Sequence, residues 1–333
     1  MMKQQKVFPF RSLLLLFLLC SLLFGTIGCT NRPTETGGRL QIVCTTFPHY
    51  DWMRNIVGDT DNVELTLLIA NGTDPHSYEP TIADIATLSD SDMVILVGGE
   101  SDLWIKEAIA NAEEPRPAQI TLIDLPNVTL REITSESGHD HGHDHSHGHH
   151  DHEHAPYDEH IWLSLQNAVA CVQGLTELLA EKDAENADRY RQNAAVYLEK
   201  LEALDLRYES MIAAAPRQEL LFADRFPFIY LTEDYGLHVH AAFDGCTTDV
   251  NASFETILRL IEATSELNVT KIMVTESSDR KLAEAVIRAC EETNLEIRSL
   301  DSLQSITKQR IEAGETYLSV MEQNLLTLQE ALS

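Results

Sequence analysis

Basic residues are scarce in this chain. Its 333 residues carry 24 Lys and Arg against 53 Asp and Glu, a formal net charge of −29. So acidic a surface repels nucleic acid and anionic lipid and attracts cations, which excludes a nucleic-acid-binding role. Cysteine is sparse as well. Of the 6 in the chain, Cys20 lies in an N-terminal apolar run and Cys29 just after it. The others, Cys44, Cys171, Cys246 and Cys290, have spacings that match no zinc–cysteine motif, and they allow either two disulfides or buried free thiols. Apolar runs able to cross a bilayer are missing: the longest, residues 13–24, has about 12 residues where roughly 20 are needed. Hydrolase signatures are absent too. His152-Glu153-His154 is followed by Ala155-Pro156, so there is no H-E-x-x-H, and there is no G-x-S-x-G. The chain is therefore read as a binding protein rather than an enzyme.

The N-terminus has an address. Lys3, Lys6 and Arg11 accompany the apolar run, and Gly25-Thr26-Ile27-Gly28-Cys29 follows it. A basic start, a short apolar stretch and small residues before the cut describe a secretory signal over residues 1–28. Thr-Ile-Gly-Cys resembles the lipobox of bacterial lipoproteins; Gly28 fits it, whereas Thr26 stands where Leu or Val is usual. The resemblance implies a lipid anchor on Cys29, a tether over residues 29–39, and an exported protein held at the membrane surface.

Histidine is what the chain has in excess. Nine of its 14 histidines, His139, His141, His143, His145, His147, His149, His150, His152 and His154, are interleaved with Asp, Gly and Ser. Imidazole is the commonest protein ligand for zinc, copper and nickel, and a tract of this composition cannot pack a core. It reads as a mobile, metal-attracting loop over residues 135–157, whose length argues for function or disorder. A solvated insertion with no metal role is the plainer reading.

Elsewhere β-rich segments alternate with helical patterns, which implies parallel sheet and crossover helices. Strands are expected at 40–47, 63–69, 93–97 and 119–123, with helices near 50–57, 81–88 and 102–111. A second set follows, with strands at 220–223, 238–243, 272–275 and 295–299 and helices at 226–235, 254–267, 280–292 and 307–332. Between them, in residues 184–212, Tyr190, Ala194, Tyr197, Leu201, Leu204, Tyr208 and Met211 recur at steps of four and three, one apolar stripe on a long helix. The expected fold is α/β: two lobes, residues 40–183 and 213–333, each a mainly parallel sheet flanked by helices, joined by one long rigid helix.

Five histidines remain outside the tract. His76 sits in Asn71-Gly72-Thr73-Asp74-Pro75-His76-Ser77-Tyr78-Glu79-Pro80, an irregular loop fixed by Gly and Pro after a strand. Open α/β folds bind ligands at such edges. His160 lies in Asp158-Glu159-His160-Ile161-Trp162, just before a helix. His49 reads as lining the cleft behind the ligands or as exposed. His238 and His240 share one face of a strand and read as a structural pair.

Together, NGTDPHSYEP, the histidine tract and DEHIWLSLQNA resemble the metal-binding solute receptors of bacterial ABC importers, the zinc and manganese cluster. Members carry D-P-H-x-Y-E-P, a His-rich insertion in the zinc type, then D-P-H-I-W-L. Here Glu159 stands in place of Pro, a change expected to affect the loop more than the ligand. The resemblance implies four ligands, two from each lobe, facing a cleft. His76 and His160 match the first pair, and Asp301 in Ser299-Leu300-Asp301-Ser302-Leu303 matches the fourth. The third position, usually His or Glu, aligns with Arg225, whose guanidinium has no lone pair to donate. Its neighbour Asp224 becomes the candidate, with Glu276, a water or a tract histidine as alternatives.

Two neutral imidazoles and two carboxylates would balance a divalent cation. The resulting expectation is a monomeric extracytoplasmic receptor that captures Zn(II) between its lobes and delivers it to an ABC permease. Imidazole richness favours zinc, whereas carboxylates also suit manganese. A manganese receptor of the same family, or a metal-buffering surface adhesin with the tract as its working part, is the alternative.

Overall fold

The computed structural model describes residues 38–132, 157–243, 245, 252–290 and 294–333. The signal segment, Cys29, Cys246 and the nine tract histidines lie outside the described residues.

The first sheet is formed by β1 (Leu40–Cys44), β2 (Val63–Leu67), β3 (Met93–Leu96) and β4 (Ala118–Thr121), all parallel, in the order β2-β1-β3-β4. Its crossovers are α1 (Phe47–Val57), α2 (Ile82–Ser89) and α3 (Leu103–Ala110). After the histidine tract come α4 (Leu165–Lys182) and α5 (Ala187–Ala214), and then a second sheet repeats the pattern. Its strands β5 (Glu219–Phe222), β6 (His238–Ala241), β7 (Lys271–Thr275) and β8 (Glu296–Leu300) are parallel in the order β6-β5-β7-β8. The crossovers are α6 (Ile229–Asp234), α7 (Phe254–Leu267) and α8 (Lys281–Ala289), and α9 (Lys308–Glu312) and α10 (Tyr317–Ala331) end the chain.

Alternation along the strands decides which helices each face receives. Ile42 and Cys44 of β1, with Met93 and Ile95 of β3, face the central core, while Val43, Val94 and Leu96 turn to an outer cluster with Leu88 and Ile105. The second sheet repeats this: Leu220, Phe222 and Met273 face inward, and Leu221, Ile272 and Val274 pack outward with Leu260 and Val286. Parallel strands covered on both faces read as the near-continuous apolar runs seen in the sequence.

The central core does not stop at either lobe. It runs from the first sheet through Leu165 and Val172 of α4 and Tyr190, Leu201 and Tyr208 of α5 to the second sheet and α10. The described residues from 40 to 333 accordingly form one compact unit. The helix α5 has 28 residues, a rod of about 42 Å at 1.5 Å per residue. Among the described residues no helix is long and apolar enough to cross a membrane.

Several expectations need correction. The stripe on α5 ends at buried Ile212; Met211 is only half-buried. The last helical stretch is two helices, because Gly314 at φ +92° takes a conformation other residues resist. Within residues 226–235 only Ile229–Asp234 is helical, since Pro227 lacks an N–H and pushes Phe226 towards extended backbone. The first strand stops at Cys44, and α1 starts at Phe47. Cys44 and Cys171 are free thiols in the central core, and Cys290 is free and half-buried. A Cys44, Cys171 or Cys290 disulfide is therefore absent among the described residues.

Candidate metal centre

Parallel strands all point their carboxyl ends the same way, and the loops that leave those ends collect the candidate residues. Asp224 follows β5 by two positions, Glu276 directly follows β7, and Asp301 directly follows β8. His76 leaves the same end of the first sheet, in the loop after β2.

Local chemistry fixes that loop. Asp74 caps the turn Pro75–Ser77, its Oδ1 accepting the His76 N–H at 3.0 Å. Its Oδ2 accepts from Arg225 Nη1 of the other lobe at 2.8 Å. Gly72 N–H donates to the Ile306 carbonyl, also of the other lobe. One carboxylate thus seats the histidine loop and ties it across the cleft.

His160 is held still more firmly. Asp158 Oδ1 lies 2.8 Å from its Nδ1 and 2.9 Å from its backbone N. Burial works to raise the Asp158 carboxyl, but attraction and hydrogen bonds from His160 outweigh it and hold the group below its ordinary value. Tyr230 O–H donates to the Asp158 carbonyl and accepts the Arg131 N–H, so α6 braces the base of this loop. Trp162 Nε1–H donates to the Ser302 carbonyl at 2.8 Å, a further link between lobes.

The structure brings His76 and His160 together. Their Nε2 atoms are 3.2 Å apart. Two nitrogens about 2.0–2.1 Å from a tetrahedral zinc lie roughly 3.3 Å from each other. At this distance either a proton shared as an N–H···N hydrogen bond or a cation bound by both lone pairs can lie between the two rings.

The acidic side is organised but not converged. Asp301 Oδ1 accepts the Leu303 N–H and Oδ2 accepts from Arg310 Nη2 at 2.6 Å. Glu276 takes both the backbone N–H and the hydroxyl of Ser302. Burial and then the negative charge of Asp301 push the Glu276 carboxyl above its ordinary range, which the Ser302 hydrogen bonds only partly offset. Asp224 Oδ2 is held by Thr275 N–H and O–H at 3.1 and 2.8 Å, and Oδ1 by the Arg225 N–H. It lines a cavity of about 730 Å³ with Arg225, Phe243, Thr275 and Lys281. Among the described residues no three His, Cys, Asp or Glu side chains converge as a ligand group. A carboxylate has about four lone-pair sites, so each acid retains capacity for an ion after these bonds.

His49 is placed differently from expectation. His49 neither lines the cleft nor meets solvent: it is 0 % exposed. As the fourth residue of a capping box its Nε2 accepts the Thr46 N–H at 3.0 Å. Burial drives its pKa down to about 3, against a raising hydrogen bond with Ile95. His240 pairs with Glu219 at 3.0 Å on the solvent side of β6, and His238 is exposed beside it. Glu159, expected to affect mainly its own loop, reaches further. Its Oε1 lies 3.3 Å from His76 Nδ1, so this departure from the family pattern reaches a candidate ligand and not only the loop. The signal was an acid beside a candidate ligand histidine, but its target 83 positions earlier is visible only after folding.

Residues 42–331 match the family described as zinc-uptake complex component A, periplasmic. Over 321 residues, 95 % of its length, the chain is 31 % identical to the zinc-binding lipoprotein AdcA of Streptococcus pneumoniae, and spans 60 % of that protein. It is 29 % identical over 322 residues to the high-affinity zinc uptake system protein ZnuA of Bacillus subtilis, of which it spans 97 %. The crystal structure of the Zn(II)-bound ZnuA-like domain of Streptococcus pneumoniae AdcA superposes with a TM-score of 0.70 at 26 % identity, covering 89 % of this chain and 99 % of that one.

Proposed function

The chain belongs to the family of periplasmic zinc-uptake component A proteins, and from that premise we propose that it is an extracytoplasmic receptor that captures Zn(II) between its lobes for an ABC-type permease. The observation that carries the reading is the His76–His160 pair, with two Nε2 atoms 3.2 Å apart and each Nδ1 facing a carboxylate. Asp301 is the ligand assigned from the second lobe, and Asp224 or Glu276 the next. Two imidazoles and two carboxylates neutralise a divalent ion, which lowers the cost of removing it from water. The histidine tract would raise the metal concentration near the mouth. The lipidated Cys29 would keep the receptor beside its permease.

Zinc binding is tested with a chain lacking residues 138–154. One tight equivalent of zinc is expected to survive this deletion and to disappear in the His76→Ala, His160→Ala double variant. Tight stoichiometric uptake by that double variant refutes the site; loss of all capacity on deleting the tract refutes the receptor in favour of a metal buffer. The three carboxylates of the second lobe keep manganese as the second reading, since oxygen donors suit Mn(II). Competition between Zn(II) and Mn(II) for the tract-free protein decides it.

A further inference from the structure

Asp158-Glu159-His160 places two acids beside one candidate ligand, and each acid serves a different ring. Asp158 holds His160 Nδ1 at 2.8 Å. Glu159 turns the other way, to His76 Nδ1 at 3.3 Å, with its side chain 11 % exposed and that of His76 18 % exposed.

Glu159 occupies a prepared seat. Its second oxygen, Oε2, accepts the Ser101 hydroxyl, from the turn Glu100–Asp102 that opens α3. Gly99 leaves the space: a Cβ there would collide with the Glu159 side chain. The carboxylate is thus fixed on one side by a hydroxyl and a bare backbone, and presents its free edge to the imidazole.

The consequence concerns protons. A carboxylate beside Nδ1 favours a hydrogen on that nitrogen, because a lone pair there would face negative charge. The lone pair of His76 is then on Nε2, the atom that faces His160 Nε2. We propose that Glu159 is a positioning residue for metal capture: it fixes the tautomer and ring orientation of His76, as Asp158 does for His160. The two adjacent acids therefore aim both imidazoles at one point. The inference rests on the zinc reading above and deepens it.

Chelator-competition titration of zinc on the full chain tests it, comparing wild type with Glu159→Leu, Glu159→Gln and Glu159→Asp. Gln can offer Oε1 to the ring and its amide to Ser101, so its affinity should remain within about five-fold of wild type. Leu offers no acceptor and should bind roughly 10–100-fold more weakly, the range for losing a partner behind a ligand. Asp keeps the charge but withdraws the oxygen, and should fall with Leu. Imidazole nitrogen–proton spectra of the zinc-loaded proteins give a readout that packing alone would not move. A slowly exchanging His76 Nδ1–H is expected in wild type and Glu159→Gln, and fast exchange in Glu159→Asp and Glu159→Leu. Wild-type affinity and unchanged exchange in Glu159→Leu overturn the proposal, and so does equal loss in Gln and Leu. If Leu fails to fold, Gln against Asp decides by the same criteria. A His76→Ala control that still binds zinc tightly condemns the site itself, which separates that failure from failure of the Glu159 role.

Discussion

A histidine's surroundings decide what it can do, and three kinds of surroundings occur here. His160 and His76 each have an acid beside Nδ1 and face each other through Nε2. His240 is an exposed partner of Glu219. His49 is sealed in the interior as a cap for α1, and burial disfavours its charged form. Because its folded pKa of about 3 lies below the ordinary 6.5, the unfolded chain takes up a proton first as the solution acidifies. The stability His49 contributes is complete above about pH 6.5 and is lost as pH falls towards 3, reaching roughly 3 kcal/mol at pH 4. Urea unfolding at pH 7 and pH 4 checks this. His49→Gln, which can still accept the Thr46 N–H, should lose about that much less than wild type on acidification. An equal loss in both would show that His49 does not titrate with folding. Arg225 is the other residue whose role its neighbours set. It stands where the family pattern places a ligand, and a guanidinium there serves instead as the cross-cleft partner of Asp74.

At the scale of elements, the long helix α5 shows how pattern and packing differ by one residue. Steps of three and four lead from Tyr208 to either Met211 or Ile212. The structure buries Ile212 to 2 % exposure and leaves Met211 at the rim of an apolar groove with Leu326 and Leu332. Ile212→Ala should therefore lower the unfolding free energy by about 2–5 kcal/mol, the range for truncating a core side chain. Met211→Ala should cost roughly 1 kcal/mol or less. Denaturant titration of both variants compares them, and a larger loss at Met211 would put the stripe back where periodicity alone has it. The chain end follows a similar logic. Helical periodicity persists through residues 307–332, but Gly314 divides it, and Thr316 then caps α10 by accepting the Ser319 N–H. The strands were legible because parallel strands buried on both faces have apolar runs that no solvent-facing alternation dilutes. The edges were less so, since the first strand and α1 meet within two residues.

The whole molecule behaves as two sheets around one interior. The central core passes from β1 through α4 and α5 to β5 and α10 without a break. Trp162 to Ser302, Tyr317 O–H to the Trp162 carbonyl at 2.5 Å, and Arg225 to Asp74 add polar ties between the halves. Lobes joined in this way should not melt separately. Scanning calorimetry of the metal-free protein should give one cooperative transition, and two resolved transitions would contradict a shared core. Zinc that binds only the folded form stabilises by about 2.7 kcal/mol at a hundred times its dissociation constant, so saturating metal should raise the midpoint and a chelator should return it. A stiff connector and a continuous core also favour a small rocking of the lobes over wide opening.

The metal chemistry and the kind of fold were set out along the chain itself. Histidine density, the D-P-H loop, the D-E-H loop and the alternation of strands with helices are local patterns, and local patterns survive in a one-dimensional reading. Folding alone decided which acid backs which imidazole, which histidine is sealed away, and what Arg225 binds. Those outcomes join residues 83 or 151 positions apart, His76 with Glu159 and Asp74 with Arg225. Distances of a few ångströms between such residues depend on how the sheets and the long helix pack, and no spacing in the sequence encodes them.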